Sequence, residues 1–163
     1  MARITRAALI QCSNPLHDEK DLHKIKAAMI EKHVGLMRQA AAAGANVCCL
    51  QEIFYGPYFC AEQDVRWYDT AEPLPPNKPG PTFLRMQSLA KELGMVLVVP
   101  IYEQEMPGVF YNTAFVIDAF ARKIVGWKTA SQMDADLVVA ATNNAIESRK
   151  RCGVTKFNDL VHH

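Results

Sequence analysis

The sequence predicts an α/β fold, and three observations carry that expectation. Short, nearly uncharged apolar runs occur at Ile4–Gln11, Asn46–Gln51 and Met95–Ile101. Between them lie two stretches whose apolar residues recur at helical spacing, and turn residues (Ser13-Asn14-Pro15, Gly44, Gly94) separate the two kinds. Strands alternating with helices of this length build sheets covered by helices.

Taken in order, Ile4 to Gln11 alternates as a first strand and ends at Ser13-Asn14-Pro15. From about Asp18 the pattern is helical, with Leu22, Ile25, Met29, Val34, Leu36 and Met37 near a 3.6-residue period and charged residues between them. Asp18, Glu19 and Asp21 are expected in the first turn, where they complement the helix dipole, and Gly44 caps the far end. Asn46 to Gln51 then reads as a buried strand that delivers one carboxylate, Glu52, into the aromatic turn Phe54-Tyr55-Gly56-Pro57-Tyr58. An uncharged run leading to a single acid under rigid aromatic cover suits a carboxylate held partly out of water, as a general base requires. A strand-ending glutamate that simply faces solvent is the plain alternative.

Cys60 to Pro81 contains Pro73, Pro75, Pro76, Pro79 and Pro81, which forbid regular hydrogen bonding and send the chain over the surface. Pro81-Thr82 opens a second helix with Phe83, Met86, Leu89, Ala90 and Leu93 on one face and Gly94 at its end. Met95 to Ile101 is long enough for a strand buried on both faces and too short for a helix. Tyr102-Glu103-Gln104-Glu105 and a Pro107-Gly108 turn follow, then a strand from Val109 to Asp118. A last helix runs from about Met133 to Arg149, with Leu137, Val138, Ala141, Ala145 and Ile146 as its apolar positions.

The chain has 163 residues, a formal charge of +1 and 50% hydrophobic residues, enough for one domain with a core. Near-neutral charge offers no electrostatic reason for a nucleic-acid or anionic-membrane partner. No segment approaches the roughly 20 apolar residues of a membrane span. Met1 to Arg6 resembles the basic start of a signal peptide, but Ala7 to Ile10 is too short for the apolar core that should follow, so a cytoplasmic protein is expected. Five cysteines, Cys12, Cys48, Cys49, Cys60 and Cys152, are odd in number and contain no Cys-x-x-Cys pair, which argues against a disulfide framework or a zinc site. Cys48 and Cys49 read as small core residues. His17, His23 and His33 have no metal-ligand spacing and read as surface.

Four segments, Ala7-Ala-Leu-Ile-Gln11, Leu50-Gln-Glu-Ile-Phe-Tyr-Gly-Pro-Tyr58, Val98-Val-Pro-Ile-Tyr-Glu103 and Phe110-Tyr-Asn-Thr-Ala114, resemble the nitrilase superfamily of carbon–nitrogen hydrolases in order and spacing. Within it, residues 1–119 are most similar to the β-ureidopropionase and N-carbamoylputrescine amidase branch. The resemblance implies a four-layer αββα sandwich, of which this chain would form the N-terminal part. It also implies hydrolysis of small amides, ureides or nitriles by a Glu–Lys–Cys triad with no cofactor and no metal. In such a triad the thiolate attacks the carbonyl carbon, the glutamate is the general base and the lysine stabilises the oxyanion. It carries over Glu52 as the base, and Glu103 as an accessory strand-end acid, with a solvated strand end as its alternative.

The other two members depart from the pattern. The family's Gly-Lys-Tyr-Arg-Lys-x-His-Ile-Pro segment is replaced by Arg122-Lys-Ile-Val-Gly-Trp-Lys128-Thr-Ala, so Lys128 stands near the lysine's place in the wrong context. Cys152, in Arg149-Lys-Arg-Cys-Gly153, has basic neighbours that could lower its pKa but no apolar strand to deliver it to a site.

The remainder resembles a second family. Ala114-Phe-Val-Ile-Asp-Ala-Phe-Ala-Arg-Lys-Ile-Val-Gly-Trp127 is similar to the RNase H-like core of DDE insertion-sequence transposases, with Ala121 in place of a serine. Leu160-Val-His-His163 is similar to the start of their His-His-Ser-Asp segment, and the chain stops before its aspartate. Asp118 falls on a strand that is non-catalytic in that family, and none of the three metal-binding acids has a counterpart here. The expected organisation is therefore a hydrolase part at 1–119 and an integrase-core fragment at 114–163, meeting in Thr113–Ala119. A chain so joined is expected to hydrolyse nothing, to expose sheet faces, and to be marginally stable or form an oligomer.

Overall fold

The structure is a computed structural model that describes residues 4–57, 64–120, 123–130 and 135–152. Its elements are strand β1 (Ala7–Ile10), helix α1 (Leu22–Ala42), strand β2 (Val47–Leu50), a 3₁₀ turn at Val65–Thr70, helix α2 (Pro81–Leu93), strands β3 (Val96–Met106), β4 (Val109–Ile117) and β5 (Ile124–Ala130), and helix α3 (Ala135–Arg151). The strands form one sheet in sequence order, with β1, β2 and β3 parallel and β4 and β5 added antiparallel.

Local sequence explains most boundaries. Helix α1 starts later than its acidic residues suggest. Asp18 and Glu19 precede it, and Asp21 is its N-cap, accepting from the backbone N–H groups of His23 and Lys24 at 3.0 and 3.3 Å. At its other end Gly44 takes a positive φ of 81° and donates to the Ala41 carbonyl at 2.9 Å. Helix α2 opens on Pro81 and ends at Gly94 in the left-handed region. Strand β3 runs past Ile101 through Tyr102-Glu103-Gln104-Glu105, because β4 pairs with it along that length and satisfies its backbone whatever the side chains are.

The alternation of strand side chains divides the core in two. Cys48, Leu50, Leu97, Val99, Ile101, Phe115 and Ile117 face α1 and α2, where they meet Val34, Met37, Phe83, Met86 and Leu89. Val98, Ala114 and Val116 face the other way and are covered by Leu137, Ala141 and Ala145 of α3. That helix lies so close to β5 that a Cβ on Gly126 would overlap the backbone of Ala141 and Ala145. The layers among the described residues are therefore helices, sheet and a single helix, with β1 at an open edge where Leu9 is 85% exposed.

Two expectations need correction. His33 is fully buried, because it stands on the same stripe of α1 as Ile25, Met29 and Met37; His17 and His23 are exposed as expected. The proline-rich stretch also reaches inward. Glu72, just before the prolines, bridges to β3: its N–H donates to the Tyr102 carbonyl and its carbonyl accepts from Gln104, each at 3.0 Å. Glu72 and Leu74 are both buried. Cys60, Tyr58, Ala121 and Leu160–His163 lie outside the described residues.

Candidate active site

Strand β2 pairs with β3 only as far as Cys49, opposite Val98, and the chain then turns away. Glu52 begins this turn. Ile53 takes a φ of 42°, a conformation that costs a non-glycine residue about 1 kcal/mol or more, so the surroundings must hold it. They do so by burial: Ile53, Phe54 and Tyr55 are all inside the helix-side core. The Tyr55 hydroxyl then occupies the edge of β3 that β2 has vacated, donating to the Tyr102 carbonyl at 2.9 Å and accepting from the Tyr102 N–H at 3.0 Å. Burial holds the Tyr55 phenol well above its ordinary pKa, so it stays a neutral donor.

A buried ion pair braces the same turn. Lys26 Nζ lies 2.5 Å from Glu72 Oε1, donates to the Thr70 carbonyl at 2.7 Å and sits 4.1 Å from the centre of the Tyr55 ring. Glu72 in turn accepts from the Thr82 N–H and hydroxyl at 2.8 and 2.5 Å, at the start of α2. Desolvation lowers the Lys26 pKa and the Glu72 charge opposes that fall. The arrangement ties α1, the proline-rich strap and α2 together beneath the residue that follows Glu52 by three.

On the opposite side of the sheet Glu52 meets β4. Asn112 Nδ2 donates to Glu52 Oε1 at 2.5 Å. Asn112 shares the parity of Ala114 and Val116, so its amide points to the α3 face, and its Oδ1 is buried with no hydrogen-bond partner among the described residues. A buried acceptor without a donor is costly, and beside a carboxylate it marks a place suited to an N–H group. The residue across from Asn112 on β5 is Ala130. Tyr102, Phe110 and Tyr68 stack next to this position with ring centres 5.4 and 4.5 Å apart, giving the site an aromatic wall.

The other candidates are dispersed. Glu103 has the parity of Val99 and Ile101 and lies on the α1/α2 face, away from Glu52. It accepts from the Thr113 hydroxyl at 2.5 Å and lines a cavity of about 440 Å³ with Tyr111, Trp127, Leu74 and Pro76. Burial raises the Glu103 pKa, Thr113 opposes the rise, and Glu105 adds to it. Lys128 pairs with Ala114, on the Asn112 face but one step further down β5, and is exposed, with no ion pair among the described residues. Cys152 is exposed at the end of α3. That end is tied down by an ion pair between Arg149 and Asp118. Asp118 follows Asn112 by six residues along the extended chain, which separates the two ends by roughly 20 Å. Cys49 shares an open cleft of about 290 Å³ with Glu52, but burial raises its pKa and keeps it a thiol. Among the described residues no three histidine, cysteine or acidic side chains converge as a metal centre requires. Nor, among the described residues, is any helix long and apolar enough to cross a membrane.

Sequence reasoning gave Asn112 no role and Tyr55 only that of aromatic cover. Asn112 could have been noticed as a lone amide in an otherwise apolar strand; the bond of Tyr55 to β3 carries no sequence signal.

The chain is similar to known proteins over parts of its length. The chain is 44% identical over 84 residues to N-carbamoylputrescine amidase of Solanum lycopersicum, covering 52% of this chain and 27% of that protein. It is 32% identical over 117 residues to β-ureidopropionase of Arabidopsis thaliana, covering 71% and 28%. A stretch of 54 residues, 33% of the chain, is 44% identical to a transposase of the insertion sequence element IS986/IS6110 of Mycobacterium tuberculosis, covering 19% of it. The fold resembles a carbon–nitrogen hydrolase from Helicobacter pylori G27 with a TM-score of 0.63 and 21% identity, over 82% of this chain and 41% of that one. The chain thus spans less than half the length of each of these proteins. A family profile described as carbon-nitrogen hydrolase matches residues 6–145, from the start of the sheet through β5 and into α3. With its matched sequence, its neighbour in fold and Glu52 at the end of the second strand, the chain belongs to the carbon–nitrogen hydrolase family.

Proposed function

We propose that Glu52 is the general base of an amide- or ureide-cleaving site, positioned by Asn112, and that these 163 residues by themselves do not turn substrate over. The observation that carries this reading is the 2.5 Å contact between Asn112 and Glu52 at the end of a rigid, fully packed turn. A base needs a nucleophile within reach. The described thiols do not supply one: Cys48 is buried with its pKa pushed up to about 11, Cys49 is raised by burial, Cys12 faces α1, and Cys152 is at the far end of α3. Lys128 is assigned no part in oxyanion stabilisation, since Ala130 rather than Lys128 stands across from Asn112. Glu103 has at most a supporting role, from the neighbouring cavity. The substrate class is N-carbamoyl amines or amino acids, by analogy with the amidase and ureidopropionase relatives.

The test is release of ammonia from N-carbamoylputrescine and from N-carbamoyl-β-alanine by the purified chain. The expected rate is that of buffer alone. Turnover that disappears in Cys152→Ala would overturn the reading and place a nucleophile where the fold puts none.

A second reading rests on the transposase-like match. In it the chain is a fusion remnant with parts 1–119 and 114–163 joined within β4, and its function is not enzymatic. The family profile reaches residue 145 and so runs well past β4, which means that the two matches share more residues than that nine-residue strand holds. Salt-sensitive retention on DNA would favour this reading; elution independent of salt would count against it.

A further inference from the structure

The cavity that Glu103 lines lies apart from the Glu52 site. Strand parity turns Glu103 to the α1/α2 face, whereas the Glu52 carboxylate meets Asn112 on the α3 face. The proline-rich strap forms one wall of this cavity and is held to β3 at two points. Glu72 exchanges backbone hydrogen bonds with Tyr102 and Gln104, and the Asn77 side-chain amide donates to the Glu105 carbonyl at 2.9 Å. The space so fixed between strap and sheet is about 440 Å³, within the range of about 300–1,000 Å³ that small-molecule sites occupy.

Its lining is acidic and aromatic. Glu103 and Glu105 come from β3, Tyr111 from β4 and Trp127 from β5. Among the described residues neither acid forms an ion pair, and neither ring stacks on another ring or lies under a cation. The Thr113 hydroxyl donates to Glu103 Oε2, and no other described group bonds that carboxylate. Burial raises the Glu103 pKa and the Glu105 charge adds to the rise, with the Thr113 bond opposing it. A half-buried carboxylate is ordinarily accompanied by a cation, and this one has none. Trp127, 58% exposed, presents an open indole at the mouth of the same cavity. Carboxylates and open aromatic rings together attract an organic cation and repel an anion. A metal ion is poorly served, because calcium takes about six to eight oxygen ligands and no three acidic, histidine or cysteine side chains converge among the described residues.

We propose that this cavity binds a small alkylammonium cation, with Glu103 as its carboxylate partner and Trp127 and Tyr111 as its aromatic walls. The ammonium group donates to the Glu103 carboxylate beside the Thr113 hydroxyl and supplies the missing countercharge. Its alkyl part lies against Leu74 and Pro76 of the strap. Glu105, on the exposed side, adds attraction without being desolvated.

The experiment titrates the full chain with n-butylammonium chloride in a calorimeter, at neutral pH and constant ionic strength. Saturable binding with a Kd on the order of 1 mM is expected, and 1-butanol and sodium butyrate should bind about tenfold more weakly or not at all. Glu103→Gln is expected to weaken binding about tenfold and Trp127→Leu about fivefold. Absence of saturable binding, butanol or butyrate binding as tightly, or undiminished affinity in Glu103→Gln overturns the proposal. The unaltered chain decides the matter where a variant does not fold. Acrylamide quenches chiefly Trp127, because the other tryptophan, Trp67, is buried, and saturating butylammonium is expected to shield Trp127 from it. Quenching that butylammonium leaves unchanged, or that magnesium chloride reduces equally, overturns the proposal as well.

Discussion

The two faces of the sheet are packed by different means. Facing α1 and α2, large side chains interlock: Phe54, Tyr55, Phe83, Phe115, Met37 and Met86 fill the space between helices and strands. Facing α3, the closest contact is made by small residues, Ala114, Ala141, Ala145 and the bare backbone of Gly126, with Val98, Val116 and Leu137 buried beside them and Val47, Val96, Val125 and Val138 partly buried around them. The first kind gains stability from buried area and shape, the second from close backbone approach over little area. Glu52 is built at the boundary between them. Its turn is anchored in the large-residue core, and its carboxylate meets Asn112 on the α3 face.

The comparison can be broken by mutation. Phe115→Ala removes a fully buried ring that packs on Phe83 at 5.7 Å, and the expected loss is about 3–5 kcal/mol in a urea titration. Lys26→Met leaves the Glu72 carboxylate buried without its cation, for an expected loss of about 3 kcal/mol, largely recovered when Glu72→Gln is added. Gly126→Leu pushes α3 off the sheet for a loss of about 1–3 kcal/mol, and faster amide exchange in α3 than in α1 is the signature. If Gly126→Leu costs more than Phe115→Ala, the ranking of the two faces is wrong.

The smallest effect is in pH dependence. Glu103 has its pKa raised in the fold by burial, so the native state holds that proton where the unfolded chain has begun to lose it. Stability should therefore fall as pH rises from the ordinary carboxylate value, near 4.3, through the raised one, and Glu103→Gln should flatten this slope. A slope that is unchanged in Glu103→Gln would show that the Thr113 hydrogen bond outweighs desolvation there.

Much of the fold was legible because local rules decided it. Helix α1 followed from its apolar period, α2 from Pro81 and Gly94, and the parallel strands from uncharged runs of the right length. The stripe Ile25, Met29, His33, Met37 was also present in the sequence at four-residue steps, and it placed His33 inside. A preference for surface histidines hid it. The extension of β3 to Met106 was not legible, since Tyr102-Glu103-Gln104-Glu105 joins the sheet only because β4 supplies partners. At the site, Glu52 could be named from its motif, while Asn112 could not be given its role, because the contact spans sixty residues.

By itself, then, the sequence determined the three helices, the first four strands, their order and the family, since periodicity, caps and turn residues act within a few positions of the chain. Tertiary structure alone decided which groups meet. Strand parity sent Glu103 to one face and Asn112 to the other. The antiparallel register put Ala130, not Lys128, across from Asn112. The packing of α1 against the ends of β1 and β2 brought His33 to Cys12. Each depends on pairing between distant segments, where a one-residue shift reverses every side chain, and no local pattern encodes that choice.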